Sequence, residues 1–256
     1  AVPFNTLYFQ TTGGYRMTFK VLSYGGGVQS TAMILMIRDG VLPKPDLIVF
    51  ADTGSERPET IALIENTIRP IVVEMGIDFR IARSHLGALD EYYRNAGALP
   101  MIGMRHCTAK FKIRPIRKVI REYVGNVMGV KAAEAWLGIT TDEAQREGES
   151  DVKWIANRYP LLEMNISRQD CIDYLDAQGF EVVKSGCFMC PYQSGDEWVS
   201  VRDNYPSLWN RSLSLEAAYF KKRPHRWKGL RYDGKRLTDD LDSFASSKCD
   251  SGGCFI

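Results

Sequence analysis

Short apolar runs, each ended by glycine or polar residues, mark the first half of the chain. Runs of this kind are typical of strands that are buried on both faces of a parallel sheet. They predict strands at residues 19–23, 46–50 and 77–81, and a fourth strand within residues 132–139.

Amphipathic segments lie between these runs. One helix is predicted to begin at Ser30-Thr31 and to end near Arg38. Another is predicted from Pro58 to about Met75, because its apolar residues recur at helical spacing. Strands that alternate with helices indicate an α/β fold, here a doubly wound, mainly parallel sheet.

The second half of the chain is helical and less regular. Helices are predicted over residues 114–124 and 167–178, the latter with Ser167 as its N-cap and Asp170 at the third helical position. Beyond this region aromatic and charged residues interleave without a clear period.

The composition is that of an ordinary globular protein, with 256 residues, 45% apolar and 25% charged. It excludes disorder and coiled coil as the main architecture. The net charge of +2 says nothing about partners. Only a local cluster of charge could indicate one. We predict an α/β domain over residues 17–195 and, over residues 196–256, a helical, basic extension with a cysteine-containing tail.

The first sixteen residues are set apart from the functional interpretation. Their segment 7–10 (LYFQ) resembles a protease site left by an expression vector, and Met17 would be a natural start. They do not resemble a signal peptide, and the densest apolar run, residues 31–37, is far shorter than the ~20 residues that span a bilayer. A cytoplasmic protein without a membrane segment is expected.

A glycine-rich loop between the first strand and the first helix is the first chemical signal. Backbone N–H groups of such a loop approach anions closely, and the helix N-terminus adds donors and positive dipole. The loop lacks the lysine of a Walker loop and the third glycine of a dinucleotide fingerprint, while a purely structural turn is the alternative. The predicted phosphate-binding residues are Ser23, Gly25, Gly26, Gly27, Gln29, Ser30 and Thr31.

A second candidate, Asp52-Thr53-Gly54, comes after the second predicted strand. Ligands of α/β sheets bind in the crevice at the carboxyl ends of the strands, where this segment would lie. A structural turn capped by the aspartate is the alternative.

The cysteines suggest metal or redox chemistry more than disulfides. Cys187 and Cys190 form a C-x-x-C pair that could hold zinc or an iron–sulfur cluster, or act as a redox dithiol. Cys107 lies in a basic segment, and Cys171 falls within a predicted helix, where a small buried hydrophobe is the expected role.

Two further features lie near the C-terminus. Cys249 and Cys254 stand on a glycine-containing tail, where they could act as nucleophiles or form a structural zinc or disulfide clip. Residues 220–236 contain eight Lys/Arg and one Asp, a local charge of +7, with aromatic residues interleaved. This stretch would suit a nucleic-acid strand or a small bisphosphate, or be a solvated basic face.

Four sequence blocks resemble the PP-loop ATP pyrophosphatases, in particular the branch that contains the phosphoadenosine phosphosulfate (PAPS) reductases. The loop at 23–31 is similar to Ser-Gly-Gly-x-Asp-Ser, and residues 52–60 to Asp-Thr-Gly-x-Glu-x-Pro-Glu-Thr. Residues 105–115 are similar to Arg-x-Cys-x-x-x-x-Lys-x-x-Pro, and residues 186–190 to Gly-Cys-x-x-Cys. The blocks occur in the family's order.

The resemblance implies a PP-loop nucleotide-binding domain over residues 17–195, with ATP and Mg²⁺ in the glycine loop and Asp52, Thr53 and Gly54 beside the adenosine. A looser match at 138–146 implies roles for Glu143 and Arg146 in the same site. The chain departs from the family pattern at Gly25 in place of serine, Gln29 in place of aspartate and Thr140 in place of arginine.

The resemblance also implies that Cys107, Cys187 and Cys190 meet around a 4Fe–4S cluster, with zinc as the alternative. His106 stands where cluster-bearing reductases have a second cysteine. The fourth ligand is therefore left open to Cys249, Cys254, an outside ligand or a sulfur atom.

The sequence is compatible with three functional hypotheses. In the first, ATP adenylates an acceptor, such as a nucleobase or nucleic acid, and sulfur from a donor replaces the activated oxygen through iron–sulfur chemistry. In the second, the chain reduces PAPS or APS with a thiol reductant, and Cys249 or Cys254 attacks sulfur. In the third, it is a non-catalytic nucleotide-binding cluster module of a modification or defence complex.

Overall fold

A five-stranded sheet in which every strand is parallel to its neighbours organises the computed structural model, which describes residues 18–125, 131–181 and 185–246. The strand order is β3-β2-β1-β4-β5. The strands are β1 (Phe19–Tyr24), β2 (Leu47–Asp52), β3 (Asp78–Arg83), β4 (Ala133–Leu137) and β5 (Ile155–Arg158).

Helices cover both faces of this sheet. The first to sixth are α1 (Val28–Arg38), α2 (Pro58–Leu63), α3 (Arg69–Glu74), α4 (Leu89–Ala96), α5 (His106–Thr108) and α6 (Arg114–Val124). A 3₁₀ turn, Thr141–Arg146, precedes the remaining helices, which are α7 (Pro160–Glu163), α8 (Arg168–Asp176), α9 (Gly195–Asn204), α10 (Pro206–Lys222) and α11 (Leu241–Ser246).

Alternate residues of the strands build two separate cores. On β1, Leu22 and Tyr24 pack with α1, α3 and α8 on one face, while Val21 packs with Ile120 of α6 on the other. A period of two is expected for strands covered on both faces. The predicted doubly wound α/β fold is therefore confirmed.

A third core lies beside the sheet. It joins α4, α9, α10 and α11 to the segment around Cys187 and Phe188. This core ties the C-terminal helices to the cysteine segment.

Several predicted boundaries are wrong in detail. α1 begins at Val28, because Gly27 has the extended conformation of an N-cap and its carbonyl accepts the Thr31 N–H at 3.0 Å. Ser30 and Thr31 therefore lie inside the first turn. β3 begins one residue later than predicted and ends at Arg83, and α8 ends at Asp176.

Two π-helical segments, which the periodicity did not predict, directly precede the helices α3 and α6. They are Ile64–Ile68 and Ala109–Ile113. Each directly precedes a turn with proline, Pro70 or Pro115, whose missing N–H and bulky ring disturb the preceding α-helical hydrogen bonds.

No helix in the described part of the chain has both the length and the apolar character needed to cross a bilayer.

Candidate functional site

The glycine loop is a tight turn between β1 and α1. Gly26 has φ +75°, and a Cβ atom there would lie 2.9 Å from Cγ2 of Thr60. The hydroxyl of Ser30 accepts the Gly25 N–H at 3.3 Å and donates to the Gly27 carbonyl at 3.2 Å. The serine therefore braces the loop at the N-terminus of an eleven-residue helix, where an anion is favoured.

A cavity of about 570 Å³ opens at this loop, against the carboxyl ends of β1, β2 and β4. Its lining carries five cations, which suit phosphate groups, and three carboxylates, Glu143, Glu149 and Asp151. The predicted residues in its lining are Ser23, Gly25, Gly27, Gln29, Ser30, Glu143 and Arg146. The cationic lining residues are Arg105, Lys112, Arg117, Arg146 and Arg168.

A polar chain connects the loop to two distant segments. The Gln29 amide donates to Glu143 at 3.5 Å and accepts from Arg168 at 3.1 Å. Arg146 in turn donates to Glu143 at 2.7 Å. Arg168, in the first turn of α8, carries no motif signal in the sequence, and only the fold brings it to the glycine loop.

Other predicted residues lie away from this cavity. Thr31 is fully buried, and its hydroxyl is paired with the Tyr24 hydroxyl at 3.2 Å. The Asp52 carboxylate accepts the Gly54 N–H at 2.8 Å, which is the aspartate-capped turn that the sequence offered as the alternative to a ligand site. It also accepts from Arg83 at 2.9 Å. The lining of the large cavity does not include these residues, nor Gly26 and Thr53.

The three cysteines of the predicted cluster site line one smaller pocket of about 80 Å³. Cys187 and Cys190 form a tight turn in which the Cys190 N–H donates to the Cys187 carbonyl at 3.1 Å. This turn is held against the segment after β2, because the Phe188 N–H donates to the Ser55 carbonyl at 2.9 Å. Thr53 lies in the same pocket.

An ion pair between a largely buried lysine and a buried glutamate lies beside these cysteines. The Lys112 ammonium is 3.6 Å from the Glu56 carboxylate, which also accepts from the Thr53 hydroxyl at 3.0 Å. Burial opposes the charged form of Lys112, but the negative charge of Glu56, with smaller contributions from the cysteines, outweighs it and raises the pKa of Lys112. Burial, with the Glu56 charge as the second cause, raises the pKa of Cys187.

The two pockets adjoin. Arg105, Thr108, Lys112 and Ser185 line both of them. A ligand in the large cavity would therefore be separated from the cysteines by a wall of shared residues, of which Lys112 is the buried cation.

The described cysteines share a pocket but are not grouped as a ready-made metal site. In the described ranges no three His, Cys, Asp or Glu side chains are grouped closely enough to hold one. Cys107, Cys187 and Cys190 are not joined by disulfides and share a pocket, which fits the thiolate donors that iron–sulfur clusters take. Cys249 and Cys254 lie outside the described residues, and buried Cys171 belongs to the sheet core.

The parallel sheet, the glycine loop and the cysteine turn agree with the α/β domain that the sequence blocks predict. The chain belongs to the phosphoadenosine phosphosulfate reductase domain family, whose model matches residues 20–191, more than half of its length. This confirms the family that the sequence blocks resemble, a family of enzymes.

Two proteins of Methanocaldococcus jannaschii, both described as uncharacterized, are similar to the chain. MJ0973 is 26% identical over 75% of this chain, and MJ0066 is 24% identical over 82% of it. The chain spans 46% of the length of each relative.

One solved structure is similar at a low level. It is the U34-tRNA thiolase NcsA from Methanococcus maripaludis with its 4Fe–4S cluster. The TM-score is 0.38 and the identity 16%, over 82% of this chain and 75% of that one. A similarity of this size carries no argument about function.

Proposed function

We propose that the chain is an ATP-dependent sulfur-inserting enzyme. ATP adenylates a carbonyl oxygen of an acceptor and releases pyrophosphate, and a sulfide-level sulfur donor then replaces the adenylated oxygen and releases AMP. The observation that carries the proposal is that a cation-lined cavity at the glycine loop shares a wall with the pocket of three cysteines.

The loop supports binding of the triphosphate. Its backbone N–H groups, braced by Ser30, would donate to phosphate oxygens. Arg168 and Arg146 would stabilise the charge that develops on the departing pyrophosphate. Glu143 contacts both Gln29 and Arg146 at the cavity, and it is the expected ligand of the Mg²⁺ that accompanies ATP.

The cysteine pocket supports an iron–sulfur cofactor. Cys107, Cys187 and Cys190 would hold the cluster, with the fourth position open to an exogenous sulfur species. When bound, a cluster of this kind supplies a Lewis-acidic iron that can carry sulfur. Lys112 would keep positive charge between the cluster and the nucleotide, since the neighbouring Glu56 carboxylate favours its protonated form.

The proposal is tested by product analysis under anaerobic conditions. The protein is incubated with sulfide, a pool of single-stranded nucleic acid as acceptor, and either ATP or PAPS. We expect AMP and pyrophosphate from ATP. Sulfite from PAPS with a thiol reductant, and no pyrophosphate, would instead identify a reductase, and nucleotide binding without either product would identify a non-catalytic module.

A serine variant tests whether the glycine loop binds ATP. Ser30→Ala removes both braces of the loop and is expected to weaken ATP binding about tenfold, since two hydrogen bonds of about 1 kcal/mol each are lost in part. Ser214→Ala, which changes a serine of α10 whose hydroxyl bonds only within its own helix, is the matched control. Calorimetric affinities that do not differ between the two variants would contradict the loop's role.

A further inference from the structure

The basic stretch of residues 220–236 is not used by the proposed nucleotide or cluster sites. Five of its eight cations form two groups that differ in their surroundings. Arg231 is internal, because its guanidinium pairs with Asp233 at 2.6 Å and lies over the Phe244 ring at 3.8 Å. Arg236 lies over Phe220 at 3.9 Å. The first group therefore serves the fold.

The second group lies on the segment that carries an exposed tryptophan. The Trp227 side chain is 70% exposed, more than any other large apolar side chain in the described part of the chain. Lys228 lies with its ammonium 5.2 Å from the centre of the indole ring. Arg226 and Lys235 are exposed on the same short segment.

This segment is anchored. The buried Glu216 carboxylate accepts the backbone N–H groups of Leu230, at 2.6 Å, and Leu237, at 3.0 Å. Gly229 donates to the Gly234 carbonyl at 2.7 Å, and a Cβ atom at Gly229 would lie 2.7 Å from Glu216. The backbone around Trp227 is thus fixed by buried contacts.

The anchor also connects the residues that follow Trp227 to the core beside the cysteine pocket. Leu230 and Leu237 are fully buried in the core that contains Cys187 and Phe188. The indole lies beside Gly234, where a Cβ atom would be 3.5 Å from Cζ3 of the ring.

We propose that this surface binds a single strand of nucleic acid, with a base stacked on Trp227 and phosphates contacted by Arg226, Lys228 and Lys235. An exposed aromatic ring among cations is the arrangement that single-strand binding proteins use, because every base has a face to stack and every linkage a charge. The inference deepens the proposed function. It rests on that function in one respect, namely that the bound strand would carry the base that accepts sulfur.

The test measures fluorescence anisotropy of labelled twelve-nucleotide oligo-U and oligo-dT with the full chain at several KCl concentrations. Trp227→Ala is expected to weaken binding at least about fivefold, whereas Trp227→Phe retains most of it. Lys228→Gln and Lys235→Gln should each reduce the slope of log affinity against log salt by about one phosphate contact. Lys153→Gln, at an exposed lysine before β5, is the control.

The outcomes separate this inference from the proposed function. Strand binding that needs Trp227, in a protein that releases no pyrophosphate, would support the surface and contradict the proposed reaction. Equal binding by wild type and Trp227→Ala, or a blunt duplex bound as tightly as the single strand, would overturn the stacking surface. The two oligonucleotides show whether the strand is RNA or DNA.

Discussion

At the scale of single residues, the loop position that carries aspartate in the resembling family is occupied here by Gln29. An amide at this position can both donate and accept, and Gln29 does so toward Glu143 and Arg168. An aspartate would add a negative charge beside the guanidinium instead. The exchange therefore leaves more positive charge for a bound anion.

Arg168 is predicted to contribute directly to phosphate binding. Arg168→Gln should weaken ATP affinity about tenfold or more, since a charge-assisted hydrogen bond is worth about 1.5–3 kcal/mol. Gln29→Asp should weaken it as well, because the new carboxylate would neutralise Arg168. Isothermal titration with ATP measures both, and an unchanged affinity in Arg168→Gln would remove this residue from the site.

Cys171 is predicted to be chemically silent. Burial raises the pKa of its thiol to about 12, so that the reactive thiolate is absent at pH 8. In the unfolded chain this thiol is exposed and has an ordinary pKa. Folding requires the protonated thiol, so the stability due to Cys171 is lost as the pH rises above that ordinary pKa. Alkylation with iodoacetamide and subsequent mass spectrometry should label it only in denaturant; labelling of the native chain would contradict its burial.

The site residues that the sequence could predict are those whose positions depend only on the local turn. Ser23, Gly25, Gly27 and Ser30 reach the cavity because one strand–turn–helix unit sets their position. Arg168 could not be predicted, since its place depends on how α8 packs on α1. The Thr31 hydroxyl faces Tyr24 because the helix begins earlier than its sequence suggests.

At the scale of elements, two helices begin with the same capping box. Ser167 and Asp170 cap α8, as the sequence predicts, and Ser194 and Glu197 cap α9. Each box satisfies two backbone N–H groups that the first helical turn leaves without partners. The two helices differ in their first turns, because the first turn of α8 carries Arg168, which lines the large cavity at the glycine loop.

The two caps offer a matched pair of variants. Ser167→Ala and Ser194→Ala should each lower the free energy of unfolding by about 1 kcal/mol, measured by urea denaturation. Only Ser167→Ala should also weaken ATP binding, by disturbing the turn that carries Arg168. Equal ATP affinities in the two variants would show that the α8 cap does not position the arginine.

There are physical reasons why the sequence pattern did not predict some of the elements. β5 (Ile155–Arg158) has a single buried residue and, among the described strands, pairs with β4 alone, so it lacks the apolar run of a central strand. The π-helical segments before Pro70 and Pro115 arise from local hydrogen-bond geometry, which periodicity does not report. The central strands were predictable because both of their faces are covered.

At the scale of the whole molecule, the two pockets share a wall although their residues come from distant parts of the sequence. The blocks resembling the family indicated a common site, but no spacing could show that Lys112 and Arg105 would face both pockets. The domain boundary predicted after residue 195 stays a proposal, and the core that joins Cys187 to α9 and α10 crosses it.

The proposed reaction depends above all on an iron–sulfur cluster that Cys107, Cys187 and Cys190 would hold beside the nucleotide cavity. The decisive measurement is iron, sulfide and zinc quantification after anaerobic purification, on wild type and on single alanine variants of these cysteines, with Cys171→Ala as the control. We predict about four irons per chain in wild type and in the control, and loss of iron in the other three. Stoichiometric zinc without iron, or unchanged iron in Cys187→Ala, would contradict the cluster assignment.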